Sequence, residues 1–330
     1  MEGNLETLGS SLLVPCVQEL AKESLTTVPA RYIRHDQDPP ITSYATSIPD
    51  VPTIDMEKLL SGDHMELKKL DSASKEWGFF QLINHGVSSA LLEEVKLEIN
   101  EFFNLPMEAK KKFWQDSEDF EGFGQANVLS EEQKLDWGDI DTLDNYAYEM
   151  KQLAMKILDY MSKALKMKAE EMRDFFEEGR QSMRMNYYPP CPQPEKVNGL
   201  TPHSDGAGLT ILLQINEMEG LQIKKDGMWV PIKPLPQTFV VNIGDSLEIV
   251  TNGAYRSIEH RAVVNSMKER LSIGTFYSPR VDGEMGPAPS LITPQTPALF
   301  RRIRVAEYVK DYFARKLDGK SNLDAMRIEN

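Results

Sequence analysis

The sequence predicts an α+β protein, with a largely helical first half and a second half built from short strands as a sandwich or barrel. Three observations carry that expectation. Leu143, Tyr146, Met150, Leu153, Ile157 and Tyr160 recur at intervals of three or four, the period of a helix with one buried face. From Ser182 to Ser278 the chain changes to short strand-forming runs separated by Pro, Gly and Asn turns. Within that region Lys225-Asp-Gly227 divides Gly220–Lys224 from Met228–Ile232, as a hairpin turn does.

Element by element, Val17–Glu23 reads as a helix and the polar, proline-containing run His35–Pro40 as a loop. Val51–Asp55 reads as a short strand, Ser61–Glu76 as a helix and Gly78–Asn84 as a buried strand. His85-Gly86 ends that strand, and His85, between an Asn and a turn glycine, is expected to be structural. Ser88–Asn104 and Pro106–Trp114 follow as helices, the first with Leu91, Leu92, Val95, Leu97 and Ile99 as its apolar positions and the second with Met107 just past a proline start. Thr142–Lys166 and Ala169–Glu178 continue the helical half to Gly179, and the many methionines at helical spacing read as core filler. Residues 304–328 return to a charged helical pattern.

Candidate site residues lie in the strand half. In Thr201-Pro-His-Ser-Asp-Gly206, His203 and Asp205 are separated by one residue, so on a strand they share a face. A third ligand comes from His260 in Ser257-Ile-Glu-His-Arg261. A single His-x-Asp is common, but two imidazoles and one carboxylate on one face of an octahedral ion suit non-haem Fe(II), with positions left open for a co-substrate and O2. Shortly after, Arg270 and Ser272 share a strand face, and a guanidinium beside a hydroxyl suits the far carboxylate of a dicarboxylic acid. If the near end of that acid chelates iron, 2-oxoglutarate fits both ends. Arg184, Asn186 and Tyr188 alternate with Met183, Met185 and Tyr187, so one face of that strand carries three polar groups.

Arg184-Met-Asn-Tyr-Tyr-Pro-Pro-Cys-Pro192, Thr201–Asp205, Val241-Asn-Ile-Gly-Asp245, Asn252–His260 and Trp77–Gly86 together resemble the conserved blocks of the plant 2-oxoglutarate- and Fe(II)-dependent dioxygenases, over nearly the whole chain. Within that family the chain is most similar to the senescence-related and opiate O-demethylase-like branch. The resemblance implies a double-stranded β-helix, a distorted jelly roll, packed against flanking helices. It implies His203, Asp205 and His260 as iron ligands, Arg270 and Ser272 as the 2-oxoglutarate clamp, and Tyr188 with Asn186 beside that co-substrate. Phe276 would stack on the organic substrate, and Arg184 would reach it. Ascorbate is implied as a helper that keeps iron reduced. The domain plan that follows is a mixed N-terminal region at 1–140, a helical connection at 141–181, the jelly roll at 182–280 and a helical tail at 281–330. The expected reaction is hydroxylation, desaturation or O-demethylation of a small plant specialised metabolite, with O2 consumed and succinate and CO2 released.

Composition narrows the setting. The 330 residues suffice for a substantial core, and a formal net charge of −14 argues against nucleic acid as a partner, because phosphate neutralisation needs a basic surface. Cys16 and Cys191 show no paired spacing, so neither a disulfide framework nor a thiolate zinc site is expected. No secretory pattern or bilayer-spanning apolar run is visible, so a cytoplasmic protein away from membranes is expected; a monomer is the expected state. Lys110-Lys-Lys112, followed by the acidic Asp116–Asp119, reads as a solvated surface.

One departure from the family stands out. Relatives continue from Leu135-Asp-Trp-Gly-Asp-Ile140 through an aromatic, proline-rich stretch before the helix that begins here at Asp141-Thr-Leu143. Ile140 and Asp141 adjoin directly here, so a segment of roughly two dozen residues, enough for two strands and a loop, is missing. An inactive or merely ligand-binding homologue therefore stays open, and so, separately, does a same-fold oxidase that uses no 2-oxoglutarate and binds another carboxylate at Arg270 and Ser272.

Overall fold

The computed structural model describes residues 14–23, 25–35, 37–41, 49–113, 144–315 and 319–328. Helix α1 (Val17–Lys22) precedes strand β1 (Thr53–Asp55), which runs into α2 (Met56–Leu60) and α3 (His64–Glu76). The helix expected over 61–76 is α3, which starts three residues later at His64, and the short α2 before it was not expected. Gly62 takes a left-handed conformation at φ +83°, and Asp63 then restarts the helix by accepting from the Met65 and Glu66 amides. Strand β2 (Phe79–Ile83), α4 (Ser89–Asn104) and α5 (Met107–Lys110) follow. The expected helix to Trp114 tightens into a 3₁₀ turn at Lys111–Phe113, and Trp114 itself lies outside the described residues. In α4 the buried stripe is Leu92, Val95, Ile99 and Phe103, while Leu97, off that period, is 64% exposed.

Helices α6 (Asp144–Ala164) and α7 (Ala169–Phe176) complete the helical half. Along α6, Tyr146, Met150, Leu153, Ile157 and Met161 are buried at helical spacing, the burial of each Met, Leu or Ile side chain stabilising by about 1.5–3 kcal/mol. Leu143, expected to start this stripe, and the Ile140–Asp141 junction both lie outside the described residues.

The strand half contains β3 (Arg180–Tyr188), β4 (Leu200–His203), β5 (Leu209–Gln214), β6 (Leu221–Lys225), β7 (Met228–Pro231) and β8 (Phe239–Ile243). Then come α8 (Asp245–Val250), β9 (His260–Ala262) and β10 (Arg270–Ser278). Residues 281–330 open with a two-stranded ribbon, β11 (Glu284–Met285) and β12 (Ile303–Arg304), before α9 (Val305–Phe313) and α10 (Ser321–Asp324); the expectation of a purely helical tail is corrected there. Asp226 and Gly227 both have positive φ in the β6–β7 turn, the conformation that matches the twist of a two-residue hairpin.

A six-stranded sheet has the order β1-β2-β8-β5-β10-β3, and a four-stranded sheet the order β4-β9-β6-β7. Together they form a jelly roll, the double-stranded β-helix, with helices flanking the larger sheet. Strands β1 and β2, from the first half of the chain, extend that sheet, so it is not built from 182–280 alone. Its outer face, with Met185, Leu271, Ile273, Leu209, Ile211 and Val241, joins the helices in one continuous core. Phe79, Ile223, Val230, Ile232 and Val240 fill the space between the two sheets. Gly78, at φ +61°, lies where a Cβ would come 2.1 Å from the Arg256 carbonyl oxygen, so the entry to β2 admits no side chain.

The Asp63 cap is half-buried at the start of α3 and is not among the residues of the jelly roll's inner face. Asp63→Ala is expected to cost about 1 kcal/mol of stability and Asp63→Asn much less, measured as the midpoint of urea unfolding.

Candidate metal centre

His203 closes β4 and His260 opens β9, and the two residues are direct cross-strand partners with ring centroids 4.4 Å apart. Asp205 Oδ1 lies 3.4 Å from His203 Nε2 and 3.6 Å from His260 Nε2. One donor atom from each of the three buried side chains falls within 4.8 Å of the others. The paired strand expected to carry both His203 and Asp205 ends at His203. Asp205 is placed instead by its carbonyl, which accepts from the Asp245 amide at 2.7 Å.

Each ligand is oriented by a second hydrogen bond. His203 Nδ1 meets the Thr201 carbonyl at 2.7 Å and His260 Nδ1 the Ile258 carbonyl at 3.1 Å. Nδ1 must donate in both contacts, which leaves each neutral ring with its Nε2 lone pair facing the shared space. Asp205 Oδ2 accepts from Thr210 Oγ1 at 2.6 Å and from Asn242 Nδ2 at 2.7 Å, so Oδ1 remains for the same space. Burial, reinforced by His203, pushes the His260 imidazole down to about 4. Burial also works to raise the Asp205 carboxyl, but the positive charge that His260 or His203 carries whenever its ring is protonated, together with the Thr210 hydrogen bond, outweighs it and holds the group below the ordinary carboxylate range. Neutral imidazoles and an ionised carboxylate are the protonation states a metal requires. The residues present therefore fit a divalent ion with two nitrogen ligands and one oxygen ligand.

Strand register places the other candidates in rows on the inner face of the six-stranded sheet. Tyr188 faces Arg270; Asn186, Ser272 and Gln214 form the next row; Arg184, Gly274 and Leu212 the next; Ser182, Phe276, Thr210 and Asn242 the last. Arg270 is 2% exposed; its Nη1 reaches Ser272 Oγ at 3.3 Å, its Nη2 reaches Gln214 Oε1 at 3.2 Å, and its Nε has no partner. Burial lowers the pKa of this guanidinium, and among the described residues no carboxylate pairs with it. Gly220 makes room for it, because a Cβ there would stand 2.6 Å from Arg270 Cδ. A buried cation with a free donor is a seat for an anion. Arg184 and Phe276 are only partly buried, and Arg184 Nε also lacks a partner.

Thr210, Asn242 and Gln214 belong to this arrangement and were not singled out from the sequence. Their signal was present, since each is a polar residue in an otherwise apolar strand run, Leu209–Gln214 or Phe239–Ile243. His85 is structural, as expected: its Nδ1 accepts from the Val87 amide at 3.2 Å and its ring packs on Phe239.

Comparison with known proteins gives the same picture. Residues 179–279 match the model of the 2OG-Fe(II) oxygenase superfamily, and residues 51–161 that of the non-haem dioxygenase in morphine synthesis N-terminal family. The chain is 52% identical to oxoglutarate-dependent flavonoid 7-O-demethylase 1 of Ocimum basilicum, over 98% of this chain and 94% of that one. It is 50% identical to codeine O-demethylase of Papaver somniferum, over 97% and 98% of the two chains. That alignment runs over 353 positions against the 330 residues here, so the relative carries internal residues without a counterpart in this chain. The crystal structure of JOX2 in complex with 2OG, Fe and JA superposes with a TM-score of 0.89 at 32% identity, over 97% of this chain and 100% of that one.

If Asn242 and Thr210 hold Asp205 as the geometry indicates, Asn242→Ala will weaken Fe(II) binding about 10- to 100-fold. Anaerobic Fe(II) titration of the purified protein reads this directly, and wild-type affinity in the variant would refute the orienting role.

Proposed function

The chain belongs to the 2OG-Fe(II) oxygenase superfamily and is a 2-oxoglutarate-dependent dioxygenase, and from that premise we propose that it removes the methyl group of a methoxy-bearing aromatic plant metabolite. Iron, when bound, couples O2 to the oxidative decarboxylation of 2-oxoglutarate, which releases succinate and CO2, and to insertion of the second oxygen atom into a C–H bond. On a methoxy carbon that insertion gives a hemiacetal. The hemiacetal carbon–oxygen bond to the aromatic group then breaks, the hydroxyl proton passes to the departing phenolic oxygen, and formaldehyde leaves.

In this reading His203, Asp205 and His260 hold the iron from one side and leave the opposite side for co-substrate and O2. Arg270 and Ser272 take the distal carboxylate of 2-oxoglutarate, with Gln214 fixing the guanidinium plane and Tyr188 and Asn186 lining the same end. Arg184 and Phe276, further along the sheet, face the organic substrate. The observation that carries the reading is the buried Arg270 guanidinium: it has a partnerless Nε and no carboxylate among the described residues, on the sheet face that also fastens Asp205. Demethylation in particular is supported by the two O-demethylases that share half of this chain's residues.

Purified protein incubated with Fe(II), ascorbate, 2-oxoglutarate and O2 should release succinate and formaldehyde in equal amounts when offered methoxyflavones or methoxylated alkaloids. Succinate with a hydroxylated or desaturated product and no formaldehyde would replace demethylation by one of those reactions. O2 uptake without succinate would point to an oxidase of the same fold, and no succinate above a His203→Ala control would refute the activity for this shortened chain.

Arg270→Ala should raise the KM for 2-oxoglutarate by at least tenfold, as removal of a charged hydrogen-bonding partner worth roughly 1.5–3 kcal/mol requires, and leave the Fe(II) requirement nearly unchanged. Equal loss on both titrations would argue against the clamp.

A further inference from the structure

The two strands that carry the ligands are short, and their own pairing is thin. Strands β4 and β9 pair only at Leu200 with Ala262 and at His203 with His260, and the register shifts between those two points. Ligand geometry must nevertheless be held to within about half an ångström for a metal site to work. A different part of the chain supplies that restraint.

Gly319 lies beside His203 in a parallel bridge; its amide donates to the Pro202 carbonyl at 3.2 Å and its carbonyl accepts from the Ser204 amide at 3.0 Å. The next residue, Lys320, places Nζ 2.6 Å from the Ser257 carbonyl and 3.0 Å from Glu248 Oε2. That same Oε2 accepts from the Ser257 amide at 2.7 Å, three residues before His260. Arg327 closes the other end of the segment, with Nη2 3.2 Å from Glu248 Oε1. Glu248 sits on α8 and is 4% exposed, and Leu323 and Met326 anchor the segment in the core.

We propose that Lys320 and Glu248 are positioning residues for the metal centre, and that residues 319–328 form a strap which holds the His203–Asp205 and Ser257–His260 runs in place relative to one another. The proposal rests on the reading of His203, Asp205 and His260 as the iron ligands. One buried carboxylate joins three elements: the strap through Lys320 and Arg327, the approach to His260 through the Ser257 amide, and α8 through its own backbone. The strap in turn grips the backbone on both sides of His203. Loss of Lys320 leaves Glu248 with less compensation in a site that water screens weakly, and it frees the Ser257 carbonyl at the same time.

A merely structural role would lower stability without altering the metal site, so the test reads the site in the apo protein. Lys320→Met, Lys320→Arg and the remote cap variant Asp63→Ala are compared with wild type under conditions where circular dichroism shows each folded. Anaerobic Fe(II) titration gives affinity, and the visible absorption of the Co(II)-substituted protein gives ligand geometry. Lys320→Met is expected to bind Fe(II) at least tenfold more weakly and to change the shape of the Co(II) spectrum, with Lys320→Arg restoring both and Asp63→Ala leaving both at wild-type values. Wild-type affinity and spectrum in Lys320→Met would overturn the proposal, as would an equal loss in Asp63→Ala. If Lys320→Met does not fold, Arg327→Met, whose side chain is 45% exposed, serves in its place; a changed Co(II) spectrum supports the strap and an unchanged one overturns it. Wild-type protein that binds Fe(II) no better than His203→Ala would overturn the ligand assignment instead, a result distinct from failure of the strap.

Discussion

The fixed placement of one buried carboxylate governs the rest of the molecule. Asp205 is ionised in a dry setting, and an isolated carboxylate there would cost several kcal/mol. Thr210 and Asn242 satisfy Oδ2, His203 and His260 stand within 3.6 Å of Oδ1, and the Asp245 amide holds its backbone. Those contacts come from β5, β8, β4, β9 and the start of α8, so the carboxylate can be stabilised only after both sheets have closed. The site is thus a product of the complete jelly roll, with no single segment that could assemble it.

The six-stranded sheet separates two tasks by the alternation of its side chains. Its outer face is apolar and merges with α3, α4 and α6 in one core. Its inner face carries the polar rows from Tyr188 and Arg270 to Thr210 and Asn242. A one-residue slip of β10 against β3 or β5 would send Arg270 and Ser272 into the helical core and bring Leu271 and Ile273 to the site. The cost of that exchange pins the register, and the same burial that stabilises the fold therefore aims the functional groups.

What the sequence made legible was whatever is periodic or locally patterned. The α6 stripe, the Asp226-Gly227 turn and the Arg270-Leu-Ser272 pair are local patterns of this kind, whereas the His203-x-Asp205 spacing marked two ligands without the strand it suggested, since β4 ends at His203. Less legible were features decided by distant partners. The start of α3 at His64 and not at Ser61 turned on the choice of Asp63 as its cap. The recruitment of β1 and β2 into the larger sheet depended on pairing with β8 across most of the chain. Gln214, Thr210 and Asn242 were visible as polar residues in apolar runs, but nothing local said what they would hold. The strap at 319–328 is the extreme case: Lys320 is one lysine in a charged stretch until folding sets it against Glu248.

Charge balance ties the halves of the site together. The chain as a whole is strongly acidic, with a formal net charge of −14, so its surface repels a dicarboxylate. Inside, Asp205 contributes one negative charge and Arg270 one positive charge, each without an opposite fixed charge beside it apart from the titratable imidazoles. A divalent cation against Asp205 and a dianion that spans from that cation to Arg270 make the set neutral, and neither ligand alone does so. Binding of the two should therefore be mutually reinforcing in this buried setting, where uncompensated charge is most costly. Arg184, partly buried further along the same face and with an unpartnered Nε, keeps contact with solvent and so falls outside that balance.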